Sequence, residues 1–243
     1  MKNIVLFSVL VFSLLIEGTV TPAYGMKRQM EALDRGLVAV KTENGVFISW
    51  RVLGNEKNVA FNVYKNGKLF KSVSAGQATN LTDKSGNIED RYVVKAVVKG
   101  KETGTSKEVK PWEQEFLTIQ LNRPEKGITP PCIALNRSNG TAQEYPEGQE
   151  YTYVPGDCSI GDLDGDGEYE IIVKWNPSNQ TDNSYSGITG PVYLDAYKLD
   201  GKHLWRINLG KNIRAGSHYT QFMVYDFDGD GKAELICKTA PGT

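Results

Sequence analysis

Two short stretches of the sequence place aspartates on alternate positions. They are GDLDGDGEYEIIVKW, which starts at Gly161, and YDFDGDGKAELICKT, which starts at Tyr225. Calcium takes about six to eight hard oxygen ligands in a flexible geometry, and alternate carboxylates on a tight loop supply such oxygens. The intervening glycines let the backbone curl around an ion with positive φ. The two stretches therefore predict two calcium-binding loops, each directly before a β-branched apolar strand.

Each predicted loop is closed by a glutamate and includes one main-chain carbonyl ligand. The predicted calcium ligands are Asp162, Asp164, Asp166, Glu168 and Glu170 in the first loop and Asp226, Asp228, Asp230, Lys232 and Glu234 in the second. Glu168 and Lys232 are assigned through their carbonyl oxygens, so a lysine side chain is tolerable there. Without a metal, the clustered acids would repel one another. Such loops usually staple a turn between strands, which gives them a structural role.

The EF-hand is the first alternative, since both loops begin with D-x-D-x-D-G. An EF-hand requires a bidentate glutamate at loop position twelve and a helix on each side. That position is Val173 in the first loop and Cys237 in the second, and both lie in β-rich runs. The sequence therefore excludes the EF-hand.

The elements that must position these loops read as short alternating strands from Leu37 onward, with a strong hairpin turn at Asn66-Gly67. The predicted fold is all-β. Residues 26–112 are predicted to form a small antiparallel β-sandwich domain. Residues 113–243 contain a unit of about 60 residues that consists of a strand, an acidic loop, a second strand and a hairpin. A second copy of this unit then begins, and a repeat of this length favours propeller blades over a solenoid. This second domain is predicted to be the first blades of a calcium-stabilised β-propeller, incomplete in this chain.

Residues 1–25 predict an export signal. They carry Lys2, a short apolar run and the small-x-small pattern Ala23-Tyr24-Gly25. The apolar run is too short to span a bilayer comfortably. We therefore expect an exported protein, secreted or periplasmic, with no membrane association once the signal is removed.

Charge and cysteine usage limit the possible partners. Lys plus Arg number 28 against 29 for Asp plus Glu, for a net charge of −1, which argues against a nucleic acid or an anionic membrane as partner. An acidic sugar polymer remains possible, since a local cleft would suffice to bind it. The cysteines Cys132, Cys158 and Cys237 show no metal-site spacing, and both a disulfide between two of them and free thiols are open.

The strings around the loops resemble those of family 11 rhamnogalacturonan lyases. They include GVFISWRVLG, SIGDLDGDGEYEIIVKW and KLDGKHLWRINLGKNIRAGSHYTQFMVYDFDGDGKAE. The last string is far more specific than DxDGDG, and the likeness covers essentially the whole mature chain. It implies a calcium-stabilised β-propeller that cleaves the rhamnose–galacturonate backbone of rhamnogalacturonan I, a pectic polysaccharide, by β-elimination. A monomer is expected.

Two units of about 60 residues cannot close a propeller, and an unclosed propeller exposes sheet edges. The resemblance therefore places the catalytic base and much of the cleft beyond Thr243, so that no catalytic residue is assigned and the chain alone is expected to be inactive. The alternative is a non-catalytic, calcium-stabilised carbohydrate-binding or adhesion-like propeller fragment. Hydrolysis by paired carboxylates gains little support, because the calcium loops consume most of the clustered acids.

Four residues are predicted to contact the polysaccharide: Asp157, Asn176, Arg214 and His218. Family members usually have Asn-Asp where this chain has Gly156-Asp157, and Asp where this chain has Asn176. The family side chains at these two changed positions, 156 and 176, are associated with sugar contact. Arg214 could hold a uronate carboxylate through its fork geometry, or form a structural ion pair. His218 lies where a propeller cleft is lined, or serves as a structural histidine.

Overall fold

The computed structural model describes residues 33–136, 138–216 and 218–241. The predicted export signal, residues 1–25, lies outside the described residues. Within the described ranges the regular elements are β-strands without a helix, and the strands pair in antiparallel fashion. The predicted all-β antiparallel fold is confirmed. Among these residues there is accordingly no helix long and apolar enough to cross a membrane.

The strands before residue 106 form two sheets. The strands are β1 (Val38–Thr42), β2 (Gly45–Ser49), β3 (Ala60–Lys65), β4 (Lys68–Val73), β5 (Asn80–Asp83), β6 (Tyr92–Val98) and β7 (Lys101–Thr105). One sheet has the order β1-β2-β5 and the other has the order β4-β3-β6-β7. We call these seven strands the N-terminal sheets.

One apolar core lies between the N-terminal sheets. Side chains alternate across a strand, so each sheet presents one apolar face. Val46 and Ile48 from the first sheet and Phe61, Val63 and Val94 from the second are buried in a single cluster. Full burial of an apolar side chain of this size stabilises a fold by about 1.5–3 kcal/mol. This shared core holds the two sheets face to face.

The turn predicted at Asn66-Gly67 joins β3 to β4. Asn66 has a φ of 50° and Gly67 a φ of 76°. Positive values at both central positions are those of the two-residue hairpin turn that an Asn-Gly pair favours. The Asn66 side-chain oxygen also accepts a hydrogen bond from the amide of Arg91 at 2.9 Å. The predicted turn is confirmed.

The chain after residue 126 adds two strand pairs, a four-stranded sheet and a third pair. The strands are β8 (Gly127–Ile128), β9 (Cys132–Asn136), β10 (Thr141–Tyr145), β11 (Glu150–Tyr151), β12 (Tyr153–Gly161), β13 (Glu170–Pro177), β14 (Tyr193–Tyr197), β15 (His203–Asn208), β16 (Phe222–Tyr225) and β17 (Glu234–Cys237). The four-stranded sheet has the order β12-β13-β14-β15, and the third pair is β16-β17. The three cysteines are free thiols.

Strand β12 contains a β-bulge. Pro155 pairs with Trp175 and Cys158 pairs with Val173, so the register shifts between these two pairs. Two residues of β12 therefore face the single residue Lys174 on β13. A bulge of this kind re-aims side chains and locally increases the strand twist.

The segment directly before β16 is a turn, and β16 starts at Phe222. The Thr220 hydroxyl donates to the carbonyl of Arg214 at 2.9 Å and accepts the amide of Gly216 at 3.1 Å. This local side-chain bonding satisfies backbone groups that a strand ladder would otherwise use.

Candidate functional site

The first acidic loop joins β12 to β13, and Asp162 forms its centre. Asp162 is fully buried. Its Oδ1 accepts the amide of Gly165 at 2.8 Å, and its Oδ2 accepts the amide of Gly167 at 3.0 Å. Both glycines have positive φ, 78° and 88°, which side-chain-bearing residues rarely adopt. The loop is therefore folded around this carboxylate.

The second acidic loop, between β16 and β17, repeats this arrangement. Asp226 accepts the amide of Gly229 at 2.6 Å through Oδ1 and the amide of Gly231 at 3.1 Å through Oδ2. These glycines have φ values of 79° and 98°. The repeated sequence therefore gives a repeated backbone geometry.

A glutamate closes each loop in the same way. Glu170 accepts the amide of Leu163 and Glu234 accepts the amide of Phe227, both through Oε2 at 2.8 Å. Glu170 is almost fully buried, and burial raises the pKa of its carboxyl. Each closing glutamate thus uses one oxygen to fix the start of its loop.

The carboxylates of both loops converge. Ligand oxygens lie within 4.8 Å of one another in two groups, which are Asp162, Asp164 and Asp166, and Asp226, Asp228, Asp230 and Glu234. Carboxylates held this close disfavour one another's ionised form. Hard oxygen donors are also the ligands that Ca²⁺ and Mg²⁺ prefer. Both groups therefore fit a hard divalent cation.

The other two predicted ligand positions have side chains directed elsewhere. Glu168 Oε1 lies 2.9 Å from Lys107 Nζ. The Lys232 side chain crosses the first loop, where its Cε lies 2.9 Å from the position of a Cβ added to Gly165. These orientations are compatible with assigning only the carbonyl oxygens of these residues as ligands.

A lysine ammonium lies among the carboxylates of the first loop. Lys198 Nζ is 2.6 Å from Asp164 Oδ2, 2.8 Å from Asp166 Oδ2 and 3.5 Å from Glu170 Oε1. Hydrogen bonds to Asp164 and Asp166 raise the pKa of Lys198. The hydrogen bond from Lys198 in turn lowers the pKa of Asp166. Spacing within the loop gives no signal for Lys198, because it reaches the loop from the end of β14.

Three consecutive residues of the first loop also contact the N-terminal sheets or their flanks. The carbonyl of Gly167 accepts the amide of Asp34 at 2.9 Å. Glu168 forms an ion pair with Lys107. The guanidinium of Arg51 lies 4.8 Å from the ring centre of Tyr169. The first loop is therefore a contact surface for the N-terminal half of the chain.

Asp157 lies in the β12 bulge and forms an ion pair with Lys174. The Asp157 side chain is 67% exposed, whereas that of Lys174 is 1% exposed. The prediction of Asp157 as a contact residue missed this lysine. The signal available was a single lysine inside the apolar strand sequence EIIVKW, because lysine is rarely buried unless it is paired.

The two departures from the family sequence pattern, Gly156 and Asn176, are in contact with each other. Asn176 is buried on β13. A Cβ added to Gly156 would lie 2.1 Å from Asn176 Nδ2. The amide of Asn176 therefore fills the space that a side chain at position 156 would need.

Replacing Gly156 with alanine is expected to rotate the Asn176 side chain with little loss of stability. The obstructing atom ends a flexible side chain, so we expect a cost of about 1 kcal/mol or less. Denaturant unfolding measures this cost, and the Asn176 side-chain amide signal in NMR measures the rotation. The matched control is the same alanine placed in an Asn176→Ala background, where no effect is expected. An unchanged Asn176 signal in Gly156→Ala would contradict the contact.

The predicted contact residues Arg214 and His218 lie in the segment before β16. Arg214 Nη2 donates to the carbonyl of Asp182 at 3.0 Å and also to the carbonyl of Tyr185. The guanidinium therefore anchors the polar loop that follows β13. His218 is exposed in the turn. The hydrogen bond from the Ser184 amide lowers the pKa of Asp182, and the guanidinium of Arg214 adds a smaller contribution.

Two family models match this chain. The rhamnogalacturonan I lyases beta-sheet domain matches residues 28–112, and the C-terminal domain of rhamnogalacturonan lyase family 11 matches residues 132–243. Rhamnogalacturonan endolyase YesW of Bacillus subtilis (strain 168) is 53% identical over 234 residues, 95% of this chain and 35% of the relative. Rhamnogalacturonan exolyase YesX of the same organism is 52% identical over 218 residues, 89% of this chain and 33% of the relative.

Solved structures give the same result. The crystal structure of exotype rhamnogalacturonan lyase YesX matches with a TM-score of 0.77 at 52% identity, over 88% of this chain and 33% of that chain. Bacillus licheniformis rhamnogalacturonan lyase PL11 matches with a TM-score of 0.76 at 54% identity, over 88% of this chain and 34% of that chain. The chain thus spans about a third of the length of the curated relatives that it matches.

Proposed function

Because the chain belongs to rhamnogalacturonan lyase family 11, as its sequence strings predicted, we propose that it is part of a pectin-degrading polysaccharide lyase. The substrate is the rhamnose–galacturonate backbone of rhamnogalacturonan I, and the reaction is β-elimination. The observation that carries this proposal is 53% identity to a rhamnogalacturonan endolyase over 95% of the chain. Export to the periplasm or the medium and a monomeric state are parts of the same proposal.

The proposed reaction removes the C5 proton of a galacturonate residue. The neighbouring carboxylate is already negative, so the carbanion is hard to form. Positive charge or hydrogen-bond donors placed around that carboxylate stabilise the developing enediolate. A base takes the C5 proton, the electron pair forms the C4–C5 double bond, and the oxygen at C4 leaves with its sugar and takes up a proton to become a hydroxyl. The product is an unsaturated uronide.

Calcium is the ion that we assign to the two acidic loops. The support is the converging carboxylates and the repeated backbone geometry around Asp162 and Asp226. The ligand sets are those predicted from the sequence, with Glu170 and Glu234 closing the loops. Bound calcium would neutralise the clustered carboxylates and hold the turns β12–β13 and β16–β17, which is a structural role.

A β-propeller is the architecture that we assign to the second domain, residues 113–243, after a first domain of residues 26–112. The sheet β12–β15 is its first blade and the pair β16–β17 begins the next. The support is close packing between them. A Cβ added to Gly161 on β12 would lie 2.7 Å from Val224 Cγ1 on β16 and 2.6 Å from Ala233 Cβ.

The test is the ultraviolet absorbance of unsaturated uronide on rhamnogalacturonan I, with homogalacturonan as the control substrate. The mature chain is assayed alone and as a chimera that replaces the matching segment of the Bacillus subtilis endolyase. Absorbance from the chimera on rhamnogalacturonan I alone is the expected result. A folded, calcium-loaded chimera that binds this polysaccharide without producing absorbance would instead favour the carbohydrate-binding alternative.

A further inference from the structure

Lys174 is a charged side chain in an apolar setting. It lies in the middle of β13, between Val173 and Trp175, and its side chain is 1% exposed. Burying an ammonium is costly unless the charge is paired and hydrogen-bonded. A mid-strand apolar residue would avoid this cost, so the position points to a use for the charge.

The Lys174 ammonium joins two separate segments. It pairs with the carboxylate of Asp157 in the β12 bulge, and it donates to the carbonyl of Thr220 at 3.3 Å. Thr220 ends the turn before β16, which its own hydroxyl closes onto Arg214. The ammonium therefore fixes the bulge relative to this turn. It brings the bulge that holds Asp157 next to the segment that holds Arg214 and His218.

An open cavity lies beside this ion pair. It has a volume of about 330 Å³ and is lined by Asp157, Ser159, Gln221 and Met223, among others. That volume is at the small end of the range for ligand pockets, about 300–1,000 Å³. Asp157 is the acidic group of the lining, and its side chain is mostly exposed. The cavity thus presents the Asp157 carboxylate, which is oriented by its ion pair with the buried Lys174.

We propose that Lys174 is a positioning residue, which holds the Asp157 carboxylate at the cavity so that it accepts hydrogen bonds from the hydroxyls of a neutral sugar residue. The proposal rests on the proposed function, since it assigns part of the polysaccharide contact. Lys174 Nζ engages Asp157 Oδ2, and the remaining lone pairs of the carboxylate serve the hydroxyls. A uronate carboxylate is disfavoured here, because the lysine charge is already neutralised and Asp157 would repel it.

The experiment measures binding of rhamnogalacturonan I oligosaccharides to the mature chain by calorimetry. Lys174→Met and Asp157→Asn are each expected to weaken binding about tenfold, since a hydrogen bond to a charged group is lost or misaligned. The double variant is expected to be no weaker than either single variant, because Lys174 acts through Asp157. A purely structural lysine would instead give additive losses, and that result overturns the proposal.

Oligogalacturonate is the comparison ligand. Its binding is expected to be unaffected by Lys174→Met, and an equal loss on both ligands would overturn the assignment to a neutral sugar. If Lys174→Met does not fold, the ¹³C shift of the Asp157 carboxyl in the wild-type chain replaces it. That shift is expected to move when rhamnogalacturonan oligosaccharide is added, and an unchanged shift overturns the proposal.

The outcomes separate this inference from the proposed function. In one outcome the wild-type chain binds the oligosaccharides, with equal and non-additive losses of affinity in the Lys174 and Asp157 variants, while the chimera produces no uronide. That result supports the inference and contradicts the lyase function. Uronide production with unaltered binding by Lys174→Met removes the inference alone. No binding and no uronide removes both.

Discussion

Replacing Asp195 with alanine is expected to lower the free energy of unfolding by about 3 kcal/mol, the low end of the range for removing one partner of a buried ion pair. Asp195 lies on β14 and is fully buried. It accepts hydrogen bonds from Trp175 Nε1 at 2.8 Å, from the Tyr197 hydroxyl at 2.7 Å and from Arg206 Nε at 2.7 Å. Alanine leaves these donors without their acceptor. Urea unfolding followed by tryptophan fluorescence measures the loss.

Tyr197→Phe is the matched control for Asp195→Ala. It removes one donor and keeps the carboxylate and the ring, so the expected loss is about 1 kcal/mol. For Asp195→Ala we expect a loss of stability at the low end of the range for a buried ion pair, because the Arg206 side chain is 29% exposed and is partly rehydrated once its partner is removed. Equal losses in the two variants would contradict the role of Asp195 as the shared acceptor of β13, β14 and β15.

The same carboxylate gives stability a defined dependence on pH. Burial raises the pKa of Asp195, but hydrogen bonds from Arg206, Tyr197 and Trp175 outweigh burial and hold the pKa below its ordinary value of 3.8. A carboxyl whose pKa is lowered on folding stabilises the fold above the unfolded pKa, and this contribution is lost as the pH falls through the folded pKa. The urea midpoint should therefore fall less below pH 3.8 in Asp195→Ala than in the wild type.

Features that depend on local sequence could be predicted, and features that depend on register could not. Alternation and an Asn-Gly pair predict the strands and the turn at Asn66, because side-chain period and turn chemistry are local properties. The acidic loops were predicted for the same reason. Each has its aspartates and glycines within one short segment, and the hydrogen bonds to Asp162 and Asp226 all come from that segment.

Contacts between distant segments needed the structure. Lys198 reaches the first loop from the position directly after β14, and Lys174 meets Asp157 only because a bulge shifts the register of β12. A one-residue shift changes which side chain faces which, and no sequence spacing reports a bulge. The contact of the Asn176 side chain with Gly156 has the same origin, since Asn176 pairs in register with Val154 and Gly156 lies in the bulge.

Removing divalent ions is expected to lower the thermal midpoint of the protein, and adding calcium is expected to restore it. A ligand that binds only the folded state stabilises it by about 2.7 kcal/mol per site at a hundredfold excess over its dissociation constant. Scanning calorimetry with chelator and with calcium measures the shift. The two loops should contribute unequally. The second loop has a fourth carboxylate, Glu234, within 4.8 Å of the others, whereas the first has the Lys198 ammonium among its carboxylates.

Glu234→Gln and Glu170→Gln are the matched variants that assign these contributions. Glutamine keeps an oxygen for the amide of Phe227 or Leu163 and removes one negative charge, and calcium affinity depends on the ligand charge count. Glu234→Gln should weaken the tighter of two calcium sites in calorimetry by about tenfold, and Glu170→Gln should weaken the other. Because calcium in the first loop must displace an ammonium that repels it, Lys198→Met should tighten that site. A wild-type chain with no calcium-dependent shift, or variants that alter the opposite site, would contradict this assignment.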